Sequence, residues 1–192
     1  MIRPERLTIK AAESLQQAAA DARSRGNPVV NDAHLFLSLL DQDEGIVAPL
    51  LQKAGLNVAQ LRDEAAREID RFPKQSGVTS EPTLARELSA VLDRADALAK
   101  ELGDAYVSTE HLLLALADTK GTTARQLLSA GGVDHKDLLA ALEGVRGTHR
   151  VTDQSPEEKY QSLQKFGNDL TAAAEDGKLD PVIGRASCRE RV

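Results

Sequence analysis

Tryptophan is missing from this chain of 192 residues, and three Phe and two Tyr are its only aromatic side chains. The core must therefore be aliphatic, built from Leu and Ala with some Val and Ile, a composition that favours packed helices. There is a single cysteine, Cys188, so no intrachain disulfide can form, and a cytoplasmic setting is the simplest expectation. The first residues, Met1 to Arg6, have neither the apolar run nor the small-residue cleavage site of a signal peptide. No stretch approaches the roughly 18 uninterrupted apolar residues of a membrane span. Basic residues are outnumbered: 24 Lys and Arg face 30 Asp and Glu, for a net charge of −6 and a pI near 5.3. A nucleic-acid groove, which needs a basic stripe to displace counterions, is excluded on that ground.

The chain is 41% hydrophobic and 28% charged, the balance of a soluble globular protein with enough apolar residues to bury a core. Its dominant feature is an internal copy. Val30 to Leu40 returns as Val107 to Ala117, with His34 falling on His111 at a shift of 77 residues. Without a gap, the same shift carries Leu15 to Leu92, Ala22 to Ala99, Gly26 to Gly103, Gly55 to Gly132 and Leu61 to Leu138. Such a register marks a duplicated unit, and duplicated helical units usually build a binding surface rather than a catalytic pocket.

Each copy reads as four helices. In the first, Thr8 caps a helix whose apolar stripe is Ile9, Ala12, Leu15, Ala19 and Ala22, and Gly26 supplies the left-handed stop. A short loop, Asn27 to Val30, precedes a helix capped by Asn31 with an almost wholly apolar flank. Ile46 to Leu51 form a third helix closed by Gly55, and Asn57 caps a fourth with Val58, Leu61, Ala65 and Ile69 inward. Arg71 to Thr83, with two prolines and no helical stripe, reads as a surface connection. A copy of about 60 residues buries only a marginal core alone, so the expected fold is all-α, two pseudo-symmetric four-helix repeats (8–71 and 85–148) packed face to face within residues 1–147.

Beyond residue 147 the pattern turns polar, which sets a domain boundary. Residues 148–168 read as a linker carrying a new helix, opened by the capping box Ser155-Pro156-Glu157-Glu158 and ended by Gly167. A further short helix spans 169–175. The last residues, 186–192, carry no pattern that packs and read as an anomalous tail.

Catalytic signatures are scarce. A phosphate-binding loop requires Gly-x-x-x-x-Gly-Lys-Ser/Thr, and no such string occurs. Without it neither a magnesium-holding acid nor a water-positioning residue can be placed, so the chain by itself is expected not to be an enzyme. His34 and His111, as equivalent positions, invite a metal or acid–base reading, but no Cys/His/carboxylate spacing accompanies them. A duplicated packing or hydrogen-bonding role is the better expectation. Cys188 has no histidine near it in sequence to make it a nucleophile.

The motifs Gly-Asn-Pro-Val-Val-Asn-Asp-Ala-His-Leu at 26 to 35 and Gly-Asp-Ala-Tyr-Val-Ser-Thr-Glu-His-Leu at 103 to 112 resemble the amino-terminal repeat domain of the Clp family of AAA+ unfoldases. Lys165 to Thr171, followed by Gly177 to Arg185, resembles the start of that family's first ATPase module, here residues 169–185. Within the family, Arg150 to Gln154 and Lys165 to Thr171 are most similar to the ClpB-type disaggregases. The resemblance stops at Ala186. It implies a substrate-binding and regulatory domain of a disaggregating chaperone that recovers aggregated or unfolded protein clients under stress. The alternative is an adaptor-docking domain of a ClpC- or ClpA-like ATPase that feeds a protease. For the full-length protein it further implies ATP and magnesium, a homohexamer, and cooperation with a chaperone system of the DnaK type. Val182 and Ile183 match a segment beside the adenine, as cofactor contacts only in a complete module.

Three polar positions match the family's client-recognition region: Thr8, Asp104 and Glu110. Asp104 and Glu110, at the end of a loop and the start of a helix, are expected to face solvent. Local structure also accounts for each residue: Thr8 caps a helix, Asp104 stabilises a turn, and Glu110 complements a helix dipole. Leu92 and Leu98 are candidates for an apolar client contact, although their helical spacing with Ala95 and Ala99 favours the core.

Overall fold

The computed structural model describes residues 4–42, 45–75, 81–146 and 150–155. Among them lie two sets of four helices: α1 (Ile9–Ser24), α2 (Asp32–Leu40), α3 (Val47–Lys53) and α4 (Val58–Asp70), then α5 (Arg86–Glu101), α6 (Thr109–Asp118), α7 (Thr123–Ala130) and α8 (His135–Arg146). The 77-residue shift lays each helix on its counterpart, and α1 and α5 coincide end to end. The expected helices within 155–175, the tail 186–192, and Val182 and Ile183 fall outside the described residues.

Capping follows the sequence. Thr8 Oγ1 accepts the Ala11 amide at 3.2 Å, and Asn57 Oδ1 accepts the Gln60 amide at 3.2 Å. Gly26 and its counterpart Gly103 take φ of 74° and 75°, the left-handed stop that only a residue without Cβ adopts at low cost.

One feature of the connections departs from the all-helical expectation. The loop at 27–30 and the connection at 71–83 are not plain coil, because β1 (Val29–Val30) and β2 (Thr83–Leu84) pair in parallel. A second parallel bridge joins Leu7 to Val107. Under the 77-residue shift Leu7 is Leu84 and Val30 is Val107, so the two pairings are copies of each other. The backbone bonds repeat as well: the Thr8 amide donates to Val107 O and the Ala85 amide to Val30 O, each at 2.9 Å. In both cases the segment that leads into one half's first helix pairs with the segment preceding the other half's second helix. The halves are interlocked about a pseudo-twofold axis.

The core centres on α2 and α6. All of Asp32 to Leu40 and all of Thr109 to Ala117 are buried, so these helices are covered on every side. Helix α1 packs on α2 and α5 on α6, while α4 packs on α7 and, by the same twofold, α8 on α3. Asp32 stitches the halves together by accepting the Ala124 amide, in the first turn of α7, at 2.9 Å.

The buried face of α1 shares only Ala22 with the expected stripe. Ala11, Ser14, Ala18 and Ala22 are buried, whereas Ile9 is 50% exposed and Leu15 and Ala19 lie at the flank. The reason is interhelical distance. Small side chains let α1 approach α2 so closely that the Ser38 hydroxyl on α2 donates to Ser14 O on α1 at 2.8 Å. In an alanine-rich helix two faces are apolar, and the one that permits close approach wins. In α5 the equivalent positions Leu88, Val91, Ala95 and Ala99 are buried too. Ala18 is fully buried at this contact, so Ala18→Leu should cost about 1–3 kcal/mol by overpacking, while Gln17→Leu on the open side should leave melting nearly unchanged. Thermal denaturation of the two variants checks this.

Candidate functional site

None of the five residues expected to meet a client faces solvent. Thr8 is 0%, Asp104 6% and Glu110 1% exposed, and Leu92 and Leu98 belong to the buried face of α5. The expectation that Asp104 and Glu110 are exposed is corrected by what covers them: α8 and the chain that follows it lie over the end of the 103–108 loop. The three polar residues do converge, but as an interior network. Thr8 binds the backbone of Val107, the next residue is the cap Ser108, and Ser108 is tied to His111, which meets Asp104.

The two histidines organise this network identically in both halves. The Asn31 amide donates to His34 Nδ1 at 3.1 Å, and the Ser108 amide donates to His111 Nδ1 at 3.0 Å. An amide only donates, so Nδ1 is the acceptor and Nε2 carries the hydrogen. That hydrogen points at Asn27 Oδ1, 3.3 Å away, in one half and at Asp104 Oδ2, 3.0 Å away, in the other. Each imidazole thus closes a capping box with its third-position side chain and pins the preceding loop. Burial lowers the pKa of His34 from 6.5.

Asp104 is the strongest electrostatic feature. Its side chain is fully buried and accepts from His111 Nε2, from the Arg146 guanidinium and, at 2.8 Å, from the Val151 amide. Burial alone would raise its pKa; the hydrogen bonds from His111, Arg146 and Val151 outweigh it and hold the carboxyl at about 2, below the ordinary 3.8. Glu110 Oε1 lies 3.9 Å from Arg146 Nη1 and makes no hydrogen bond of its own. Among the described residues no group of three or more His, Cys, Asp or Glu side chains is placed to hold a metal.

An open surface groove lies elsewhere. A groove of about 590 Å³ runs along α1 and the end of α2, lined by Lys10, Glu13, Gln17, Ala20, Asp41 and Gln42, among others. Its floor is serine and alanine rather than leucine. In the second half the counterpart of Gln17 is Arg94, which reaches Asp118 at 2.6 Å and Glu101 at 2.7 Å and ties α5 to the end of α6. The first half has no such bridge, because glutamine stands there.

The description Clp repeat (R) N-terminal domain matches this chain over residues 6–131. The chain belongs to the Clp repeat family. Over 185 residues it is 45% identical to the chaperone protein ClpB of Mycobacterium bovis, a match that covers 96% of this chain and 22% of that protein. This chain therefore spans about a fifth of such relatives. The Hsp104 N-terminal domain from Candida albicans shares the fold, with a TM-score of 0.70 at 18% identity, over 79% of this chain and 98% of that one. A ClpV N-domain solved in complex with VipB peptide aligns with a TM-score of 0.59 and 26% identity, over 72% of this chain and 86% of that one.

Within this Clp repeat domain, the sequence held one unread signal. Arg146 aligns with Ile69, Asp104 with Asn27 and Glu110 with Ala33, so the second copy gains three charges that all meet in one place. The groove left no trace in the apolar pattern, since its lining is polar.

Two pH responses follow. Asp104 ionises at about 2 in the fold against 3.8 ordinarily, which corresponds to about 2 kcal/mol of stability. That contribution is complete above 3.8 and is lost as pH falls through 2. Asp104→Asn should lower stability at neutral pH by about that amount, with the deficit shrinking at acid pH in denaturant titrations. His34 is held neutral, so the unfolded chain binds more protons as pH drops below 6.5, and the wild-type melting temperature should fall on that side.

Proposed function

We propose that this chain is the client-binding and regulatory amino-terminal domain of an ATP-dependent disaggregating chaperone, acting in the cytoplasm on aggregated or unfolded proteins. The observation that carries this reading is the 45% identity to a ClpB chaperone along nearly the whole chain. The peptide-bound ClpV N-domain supports peptide capture as a use of this fold. The full-length protein would bind ATP and magnesium, form a hexameric pore and cooperate with a DnaK-type system, while this chain alone would turn over no ATP.

The α1/α2 groove is the contact surface this reading favours. Glutamine and serine side chains along it can pair with the exposed backbone of an extended segment whatever its sequence. Lys10, Glu13 and Asp41 accept charges of either sign. Such a surface gives broad, weak recognition and fast release, which suits a domain that hands clients on. Thr8 would serve the same task from beneath, by capping α1, one of the helices that frame it, whereas Asp104, Glu110, Leu92 and Leu98 would act on it only indirectly, by holding the second half together.

The test is fluorescence anisotropy of a labelled, permanently unfolded polypeptide titrated with the chain. Saturable binding is expected. Gln17→Arg places in the first half the arginine that bridges the second, beside Asp41, and should weaken binding about tenfold, or about 1.4 kcal/mol, without lowering the melting temperature. Full binding by this variant would remove the groove from consideration, and absence of any binding by the wild type would overturn the proposed function itself.

A further inference from the structure

The two halves treat the chain that leaves their last helix in parallel but unequal ways. After α4, the Asn27 side-chain amide donates to Pro73 O at 3.0 Å, and the Gln75 amide donates to Gly26 O at 2.8 Å. That segment is then pinned again where β2 joins β1. After α8, the corresponding chain crosses Gly103 and Asp104. The Val151 amide donates to Asp104 Oδ1 at 2.8 Å, the Ala105 amide to Val151 O at 2.9 Å, and the Ile9 amide to Gln154 O at 2.9 Å. Val151 is fully buried, and the Arg150 guanidinium lies along Gly103, where a Cβ would stand 3.5 Å from its Cζ.

The first departing segment meets a neutral Asn27, with Ile69 in the last turn of α4; at the equivalent positions the second departing segment meets Asp104, with Arg146 in the last turn of α8. We propose that the Asp104–Arg146 ion pair is a latch that fastens residues 150–155 to the repeat domain and so sets the direction in which the chain leaves it. Arg146, in the last turn of α8, holds the carboxylate in place; the free lone pairs of Asp104 then capture the Val151 amide. A charged acceptor binds an amide more strongly than a neutral one, and burial shields the pair from salt. Opening the latch frees the departing segment, so Asp104 and Arg146 act as positioning residues for the chain beyond α8. This holds whichever client the groove takes.

Amide hydrogen exchange on the chain separates this role from general stability. The amides of Val151, Ala105 and Ile9 report on the docked segment, and those of Leu113 and Leu114 in α6 report on the core. In Asp104→Ala/Arg146→Ile, protection of the three segment amides should fall about tenfold more than that of the core amides, the effect of one lost hydrogen bond. Asp104→Asn/Arg146→Ile, which installs the residues of the first half and keeps a neutral acceptor, should show the same separation to a smaller degree. Undiminished protection of the segment amides in both variants, or a loss in step with Leu113 and Leu114 in both, would overturn the latch.

Discussion

The parallel pairings of Leu7 with Val107 and of β1 with β2 are the constraint on which the rest of the domain depends, because each half completes a backbone ladder with a segment of the other. A four-helix copy of this size buries too little surface to stand alone. Crossed pairing turns that weakness into cooperativity: neither α1 nor α5 is correctly placed until both halves are present. The fully buried α2 and α6 then supply the shared apolar centre, and Asp32 adds a polar tie across it by holding the first turn of α7.

Around that centre the polar groups are spent on holding loops. His34 and His111 each satisfy a cap amide with one nitrogen and a loop side chain with the other, which is why a histidine can sit three residues into a leucine-rich helix with no metal or substrate to explain it. The second half carries the same device with a charge added. Burying Asp104 is costly by itself, and only its three donors make the arrangement favourable. The duplication therefore did not yield two equivalent surfaces. One half keeps an open groove between α1 and α2, and the other spans the equivalent site with Arg94 and binds the outgoing chain with Asp104, held by Arg146.

Much of this architecture was legible in the 77-residue register, including the helix order, most caps and the centrality of α2 and α6. What escaped was whatever depends on coverage by a distant segment. Capping and dipole considerations place Asp104 and Glu110 along the chain, but their burial is set by α8 and residues 150–155, about 40 residues away. Most of the face of α1 escaped for a different reason: in an alanine-rich helix, apolar spacing is degenerate, and closeness to α2 selects Ala11, Ser14 and Ala18 over Ile9, Leu15 and Ala19. The strand pairings involve at most two residues on each side, too short for alternation to announce them. Comparing the copies position by position does expose the charged cluster, since Asn27, Ala33 and Ile69 change together.

The interlocked strands also set an order of events during synthesis. Leu7 leaves the ribosome well before its partner Val107, which emerges only after the first half and all of α5, and β1 waits for Leu84 in the same way. The nascent first half must therefore persist with its α1 segment unpaired, exposing strand edges and an apolar face while the second half is made. The domain therefore passes through an open state of its own, and it closes only when Val151 to Gln154 reach Asp104 and Ile9.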